Sequence, residues 1–159
     1  MTSLLVRQAA GAGEIEQARA LFLEYVAGLK VDLCFQGFDQ ELAALPGKYA
    51  PPQGRLLLAR VDGEPAGCIA LRPIESGIGE VKRLYVRPAF RGRGIAKMLA
   101  AELVAAARAI GYASLRLDTL EFMREAAALY RSLGFVEIAP YYDNPLPGTV
   151  YMELKLPRS

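Results

Sequence analysis

Hydrophobic periodicity predicts that the chain begins with a short strand and two helices. A strand over residues 4–7 precedes a stretch, from Glu14 onward, in which apolar residues recur at helical spacing. The apolar positions of this first predicted helix are Ile15, Ala18, Phe22, Tyr25, Val26 and Leu29. Residues 31–37 interrupt the pattern, and a shorter apolar repeat predicts a second helix from Phe38 that ends at Pro46-Gly47.

The middle of the chain has the pattern of three strands. Two apolar runs, 55–61 and 66–73, flank Asp62-Gly63-Glu64-Pro65, and an Asp-Gly pair between two such runs is a strong hairpin signal. A third strand follows from Glu80 to Val86. Pro88 ends its pairing, because proline has no backbone N–H to donate.

The second half of the chain alternates between helix and strand. A third predicted helix ends at Gly111, and its apolar face comprises Ile95, Met98, Leu99, Leu103, Ala106 and Ile110. A strand over residues 114–119 leads to a fourth predicted helix, which ends at Gly134 and has Phe122, Ala126, Leu129 and Leu133 in register. The last two predicted strands span 135–138 and 150–156. This order of elements predicts a mixed α/β fold.

Length and composition fit one folded domain, residues 1–159, without a nucleic-acid or membrane partner. The chain is 53% hydrophobic and 23% charged, with 19 basic and 17 acidic residues and a formal net charge of +2. This balance lacks the basic footprint of a protein that binds nucleic acid or an anionic membrane. No run approaches the ~20 apolar residues of a membrane span, and the N-terminus lacks the pattern of a signal peptide. We therefore expect a cytoplasmic protein.

Cysteine and histidine usage narrows the candidate chemistry. Cys34 and Cys68 are too few and too far apart for a disulfide scaffold or a zinc site. The chain has no histidine, which excludes a histidine base, a histidine-containing triad and a histidine-ligated metal. We therefore expect no metal.

The stretch V-R-P-A-F-R-G-R-G-I-A-K, from Val86 to Lys97, is the strongest candidate site. A predicted strand enters it and a predicted helix begins near Gly94, an arrangement that presents free backbone N–H groups to an anion. Its arginines add forked donors suited to phosphate. A local basic cluster surrounds the turn and comprises Lys82, Arg83, Arg87, Arg91, Arg93 and Lys97. We interpret the turn as a pyrophosphate site, and the alternative is a solvated basic surface.

Two motifs resemble those of the GCN5-related N-acetyltransferase (GNAT) superfamily. Arg91-Gly92-Arg93-Gly94-Ile95-Ala96, entered by the apolar strand Leu84-Tyr85-Val86, fits the signature Arg or Gln, two residues, Gly, one residue, then Gly or Ala. The run from Ala126 to Phe135, A-A-A-L-Y-R-S-L-G-F, is similar to the family's Ala-x-x-Leu-Tyr-x-x-x-Gly-Phe. The resemblance covers nearly the whole chain in the order of its elements.

The resemblance implies a fold and a donor substrate. The implied fold is a mixed, mostly antiparallel sheet of about seven strands, flanked by four helices and split near the fourth and fifth strands. The implied co-substrate is acetyl-CoA. Residues Arg91 to Lys97 would receive its pyrophosphate, largely through backbone N–H groups, and backbone groups of Leu84 and Val86, with Tyr85 between them, would pair with the pantetheine arm. Glycines at 92 and 94 suit this role, because they let the backbone approach a phosphate without a Cβ collision.

The resemblance also suggests catalytic residues. Tyr130 matches the family's general acid, and a phenol is a plausible proton donor because its pKa of ~10 lies near that of a thiol. The alternative is that Tyr130 packs between helix and sheet. Glu80, eleven residues before Arg91, matches the strand-borne glutamate base of the histone acetyltransferase branch. The alternative is an exposed glutamate, or an ion-pair partner of Lys82 or Arg116.

One position departs from the family pattern. In many relatives, an asparagine seven residues before the tyrosine forms a hydrogen bond with the pantetheine. Here this position is Met123. That contact is therefore either lost or supplied elsewhere, with Thr119 and Arg124 as candidates.

The acceptor side is less defined. In this fold it is built from the segment between the first two helices and the loop between the last two strands, here 33–38 and 140–145. Phe35, Phe38, Tyr141 and Tyr142 are candidates for an aromatic wall, and Asp143 or Glu24 for attracting a cationic amine. The alternative is that these aromatic residues cap the core.

Three readings of the function follow. We expect direct acetyl transfer in a ternary complex, because neither motif contains a cysteine to accept the acetyl group, and we favour a small amine or amino-acid-like acceptor. The alternatives are a non-catalytic acyl-CoA-binding or sensing module and an acetyltransferase for a protein or peptide amine. A homodimer is a further possibility, with residues 150–156 as a candidate edge strand.

Overall fold

The computed structural model describes residues 3–29 and 37–157, which form seven strands and four α-helices. The strands are β1 (Leu4–Gln8), β2 (Arg55–Val61), β3 (Glu64–Glu75), β4 (Ile78–Val86), β5 (Ser114–Leu120), β6 (Val136–Ile138) and β7 (Thr149–Lys155). The helices are α1 (Gly11–Leu29), α2 (Phe38–Ala44), α3 (Ile95–Ile110) and α4 (Arg124–Ser132), and short 3₁₀ turns span Gly47–Tyr49 and Pro88–Phe90.

The seven strands form one sheet in the order β1-β2-β3-β4-β5-β7-β6. All neighbours are antiparallel except β4 and β5, which pair in parallel only through residues 78–80 and 114–116. Beyond Glu80 the two strands have no paired residues, so the sheet opens between them. The predicted mixed, mostly antiparallel sheet of seven strands, split between the fourth and fifth strands, is confirmed.

Two apolar clusters lie on opposite faces of the sheet. The cluster on one face contains Leu99 and Leu103 of α3 and Tyr130 of α4. The cluster on the other face contains Leu21 and Phe22 of α1, together with residues of α2. Because side chains of a strand alternate between faces, the central strands supply both clusters and are buried along most of their length.

A β-bulge interrupts the alternation in β4. Lys82 pairs with Ala70 and Tyr85 with Cys68, so β4 has two residues between these pairs where β3 has one. Arg83 occupies the bulge with a φ of 61°, which is uncommon for a residue other than glycine. The Sγ of Cys68 donates a hydrogen bond of 3.3 Å to the Arg83 carbonyl. The bulge lies where β4 leaves β5, and it shapes the open part of the sheet.

Three local predictions differ from the structure. The fourth helix begins at Arg124, and Phe122 lies before it with 61% of its surface exposed, so Phe122 is not in register with the apolar face. The strand predicted over 66–73 extends from Glu64 to Glu75, because the hairpin turn is only two residues long. The strand β7 is not an edge, since β5 and β6 pair with it on both sides. The suggested dimer edge over residues 150–156 is therefore wrong.

No helix within residues 3–29 and 37–157 is both long and apolar enough to cross a membrane.

Candidate active site

A cleft of about 870 Å³ lies where β4 and β5 separate. Its walls are the end of β4, the start of α3, the start of α4 and the last turns of α1. Nine of the ten residues predicted to bind the donor line it: Leu84, Tyr85, Val86, Arg91, Gly92, Gly94, Ile95, Ala96 and Lys97. Arg93 is the exception, and its guanidinium lies 5.5 Å from the centre of the Phe90 ring.

The glycine turn opens the start of α3 toward this cleft. Gly92 and Gly94 have φ values of 80° and 75°, which glycine adopts without strain. Gly94 is the N-cap of α3, and no side chain caps the helix. A Cβ at either glycine would meet nothing within 4 Å and would project into open space. The first backbone N–H groups of α3 are therefore available to an anion, and the helix dipole favours one.

Arg91 contacts the end of β4. Its Nε donates a hydrogen bond of 2.9 Å to the carbonyl of Val86, and its guanidinium lies 5.9 Å from the centre of the Tyr85 ring. The Val86 carbonyl, one of the groups predicted to pair with pantetheine, thus already has a donor.

Tyr130 is buried beside a smaller cavity of about 50 Å³ that adjoins the cleft. It is 6% exposed, and its ring packs 5.5 Å from that of Phe135. Lys82, Asp118 and Thr119 line the same cavity. Burial raises the pKa of Tyr130, and the negative charge of Asp118 adds to the effect. The hydroxyl therefore keeps its proton at neutral pH.

Position 123 and its neighbours also border these cavities. Met123 lines both the cleft and the small cavity, and its Sδ accepts a hydrogen bond of 3.7 Å from the Thr119 hydroxyl. The two residues suggested as replacements for the missing asparagine thus line cavities that Met123 also lines: Thr119 lines the small cavity and Arg124 the cleft.

A third cavity, of about 330 Å³, lies beside Glu80, Arg72 and Lys82, and Tyr141 and Tyr142 close it. Glu80 is 2% exposed. Its Oε1 accepts hydrogen bonds from Arg72, at 2.9 Å from Nε, and lies 3.6 Å from the Nζ of Lys82. Its Oε2 accepts a hydrogen bond of 2.6 Å from the Tyr141 hydroxyl.

These contacts determine the acidity of Glu80. Burial alone would raise its pKa, but the positive charges of Lys82 and Arg72 and the hydrogen bond from Tyr141 outweigh burial and lower the pKa. Of the two ion-pair partners considered from the sequence, Lys82 contacts Glu80, whereas Arg116 pairs with Glu153 and Glu75. Arg72 was not foreseen.

The residues suggested for the acceptor side are not all in one place. Tyr141 and Tyr142 lie at the third cavity and pack against Tyr151, with ring centres 5.4 to 5.7 Å apart. Phe38 is buried in the apolar cluster that contains Leu21 and Phe22 of α1, and the guanidinium of Arg83 lies 5.2 Å from the centre of its ring. Phe35 lies outside the described residues.

The two suggested carboxylates lie apart from the third cavity. Glu24 pairs with Arg87 at 2.7 Å and accepts a hydrogen bond of 3.1 Å from the Tyr85 hydroxyl, so its negative charge is already neutralised. Asp143 is exposed on the loop before β7. Neither residue lines the cavity beside Glu80.

The basic cluster of the sequence divides in three dimensions. Arg83 is buried in an ion pair with Glu41, and Arg87 pairs with Glu24. Lys82 faces the cavities. Arg91 and Lys97 remain at the donor cleft. The hypothesis of one basic surface around the turn is thus wrong, because a strand directs neighbouring side chains to different faces.

The sequence did not indicate Arg72 or Asp118 as residues of these cavities, and it placed Lys82 in the basic cluster around the turn. The spacing of charged residues in β4 is a signal that could have identified Lys82. Glu80 and Lys82 stand two positions apart in this strand, which places both side chains on one face. Charged residues on a buried face of a central strand indicate a site.

The sheet opens against the glycine turn at the start of α3, an arrangement that suits a ligand with a phosphate group. The model of the acetyltransferase (GNAT) family matches residues 20–135, and the chain belongs to this family. It is 41% identical over 145 residues to an uncharacterized N-acetyltransferase of Schizosaccharomyces pombe, a match that covers 90% of this chain and 89% of the relative. The chain is thus an N-acetyltransferase.

The chain is also similar to a curated protein of Danio rerio and to two solved acetyltransferase structures. The chain is 32% identical over 110 residues to a zebrafish (Danio rerio) protein named N-acetylaspartate synthetase, covering 68% of this chain and 39% of that protein. An acetyltransferase of Staphylococcus aureus superposes with a TM-score of 0.80 at 18% identity, covering 98% and 100% of the two chains. A Salmonella typhimurium structure described with its cofactor acetyl-CoA has a TM-score of 0.73 at 19% identity, covering 99% and 96%.

Proposed function

We propose that the protein transfers an acetyl group from acetyl-CoA directly to the primary amine of a small, amino-acid-like acceptor. The single observation that best supports this proposal is the adjacency of two cavities. The cleft lined by the glycine turn shares Leu84, Met123 and Ala126 with the small cavity beside the Tyr130 hydroxyl. A donor bound at the turn and extended along β4 would thus reach Tyr130.

The donor site fits a CoA pyrophosphate. The turn combines glycines at positive φ, an uncapped helix start and open space where a Cβ would stand. Residues Arg91 to Lys97 would hold the pyrophosphate, and the free side of β4 beyond Glu80 would run beside the pantetheine arm. When bound, acetyl-CoA supplies an acetyl group activated as a thioester.

Tyr130 is the proposed proton donor to the leaving sulfur. Among the described residues its hydroxyl has no hydrogen-bond partner, and its raised pKa keeps the proton in place. A protonated hydroxyl without a partner among the described residues, on a side chain that lines the small cavity next to the cleft, is suited to general-acid catalysis.

Glu80 is better suited to positioning than to proton transfer. Its carboxylate is shared by Arg72, Lys82 and Tyr141, and its lowered pKa makes it a weak base. We propose that Glu80 orients these side chains and that the acceptor ammonium loses its proton to water before transfer.

Direct transfer is supported by the cysteine within the described residues. Cys68 is fully buried, and its Sγ donates a hydrogen bond to the backbone. Burial raises the pKa of the Cys68 thiol. A buried neutral thiol is a poor nucleophile, so Cys68 does not suit the role of an acetyl carrier. The name N-acetylaspartate synthetase, borne by three relatives, supports an amino-acid-like acceptor.

Release of the CoA thiol across a panel of amines tests the proposal. We expect turnover with at least one small amine and a loss of 10²- to 10⁴-fold in kcat for Tyr130→Phe, with little change in the KM for acetyl-CoA. Tyr112→Phe is the matched control, because the Tyr112 hydroxyl donates to the Gln53 carbonyl away from the cleft. Acetyl-CoA binding without turnover on any amine would contradict the proposal and indicate a sensing module.

A further inference from the structure

Within residues 3–29 and 37–157, the buried amine of Lys82 forms no hydrogen bond. Its side chain is 3% exposed, and its Nζ lies 3.6 Å from Glu80, which is too long for a hydrogen bond. Among the described residues no acceptor lies within hydrogen-bond distance of this nitrogen. An ammonium carries three donors, and buried donors in proteins are normally satisfied.

The Lys82 side chain faces cavity space. Every fully enclosed side-chain nitrogen or oxygen within the described residues has a partner, so the Lys82 ammonium is not one of the enclosed atoms. It lines both the small cavity beside Tyr130 and the larger cavity beside Tyr141. Lys82 therefore stands where the donor and acceptor sides meet.

At the larger cavity, Lys82 and Arg72 face the same carboxylate. Glu80 is the only carboxylate within 4 Å of Lys82 among the described residues, and Arg72 pairs with the same oxygen at 2.8 Å. Glu75, at the rim, pairs with Arg116. Two cations thus share one carboxylate at this cavity.

The second acidic group near Lys82 is already bound. The Oδ2 of Asp118 accepts hydrogen bonds from the Tyr142 hydroxyl at 2.5 Å and from the Asn144 Nδ2 at 3.3 Å. Burial lowers the pKa of Lys82, and the negative charges of Glu80 and Asp118 oppose this shift, although Asp118 lies beyond ion-pair distance of Lys82. The two side chains that donate to Asp118 are uncharged, and Lys82 is not one of its donors.

We propose that the acceptor has a carboxylate next to its amine, as an α-amino acid does, and that Lys82, assisted by Arg72, binds this carboxylate. The inference rests on the proposed function and specifies its substrate class. A carboxylate bound at Lys82 would accept hydrogen bonds from the Lys82 amine, and its negative charge would favour the protonated form of that amine. Since one carbon separates the two groups of an α-amino acid, the amine would lie within a few ångströms, beside the cavity of Tyr130.

Matched acceptors test this proposal. Glycine, L-alanine, L-aspartate, L-methionine and L-tyrosine are each compared with the corresponding α-carboxamide in the CoA-release assay. We expect kcat/KM for the best amino acid to exceed that of its amide at least tenfold. Equal values would overturn the carboxylate site and leave acetyl transfer to an amine standing. No CoA release with any amine would overturn the proposed function, and the carboxylate site with it.

Two variants identify the residue. Lys82→Met should raise the KM for the amino acid at least tenfold and leave the KM for its amide and for acetyl-CoA unchanged, and Lys82→Arg should restore part of the loss. Lys155→Met is the matched control, because Lys155 is exposed and also lies near a glutamate, at 3.8 Å. An equal rise for amino acid and amide in Lys82→Met, in a variant with unchanged melting temperature, would overturn the assignment of Lys82.

Discussion

The donor assignment can be tested with one bulky substitution at each end of α3. Gly94 precedes the helix and Gly111 follows it, with φ values of 75° and 106°. A Cβ at either position would meet nothing within 4 Å. A tryptophan at either site therefore adopts a strained left-handed conformation, and its Cβ has no atom within 4 Å among the described residues. Only the side chain at 94 would project into the donor cleft, since Gly111 does not line it.

The expected stability effects are similar for the two variants. A left-handed conformation costs a residue other than glycine about 1–2 kcal/mol. In a domain of this size about 1 kcal/mol corresponds to roughly 2–4 °C in Tm. Gly94→Trp and Gly111→Trp should thus each melt about 2–8 °C below the wild type and still unfold cooperatively.

The variants should differ in their response to CoA. At a concentration 100 times its Kd, a ligand stabilises the folded state by about 2.7 kcal/mol, here roughly 5–11 °C. Thermal melts with and without CoA should show this rise for the wild type and Gly111→Trp and none for Gly94→Trp. A full CoA-dependent rise in Gly94→Trp would refute the pyrophosphate assignment, because a tryptophan in the cleft would then not impede binding.

Two acidic residues provide further predictions. Because Glu80 is held by Arg72 and Tyr141 and its pKa is lowered, its negative charge stabilises the fold above the ordinary carboxylate range, and this contribution is lost as the pH falls through its lowered pKa. The Glu80→Gln substitution should therefore lower the free energy of unfolding more at pH 7 than at low pH. The rate of acetyl transfer by this variant should still increase with pH at the same midpoint as in the wild type. A flattened increase would instead identify Glu80 as the base. Glu41→Gln should destabilise the protein by about 1.5–3 kcal/mol in urea unfolding, because it removes the carboxylate charge that pairs with the buried guanidinium of Arg83 at 2.9 Å; an unchanged free energy of unfolding would show that this ion pair does not contribute to stability.

Much of the fold was predictable because local signals agreed with one another. The Asp62-Gly63 turn, the apolar face of α3 and the Gly111 stop each combine periodicity with a specific backbone requirement. Phe122 shows where periodicity fails. Its position fits the helical spacing of the apolar residues in α4, but α4 begins only at Arg124. Phe122 is exposed, so its place in the apolar pattern does not reflect packing against the sheet.

The cleft proposed for the donor was more predictable than the cavity beside Glu80 and Tyr141, for a physical reason. The donor residues are contiguous in the chain, so one loop and one helix start bring them together. The acceptor cavity combines β3, β4 and a loop some sixty residues later, as in the hydrogen bond between Glu80 and Tyr141. Spacing within one segment does not reveal which distant segment supplies a partner.

The bulge at Arg83 has a consequence for how this strand tolerates length changes. Val81 and Val86 both belong to the cluster under α3. They stand five positions apart, an odd spacing that would place their side chains on opposite faces of a regular strand. The extra residue of the bulge shifts the alternation by one position, so that Val86 points to the same face as Val81. Deletion of one residue at the bulge would turn the later side chains of β4 to the other face of the sheet, and Val86 would point away from α3. An insertion or deletion in this part of β4 should therefore turn apolar side chains away from α3, whereas a substitution that keeps the length of the strand leaves them facing it.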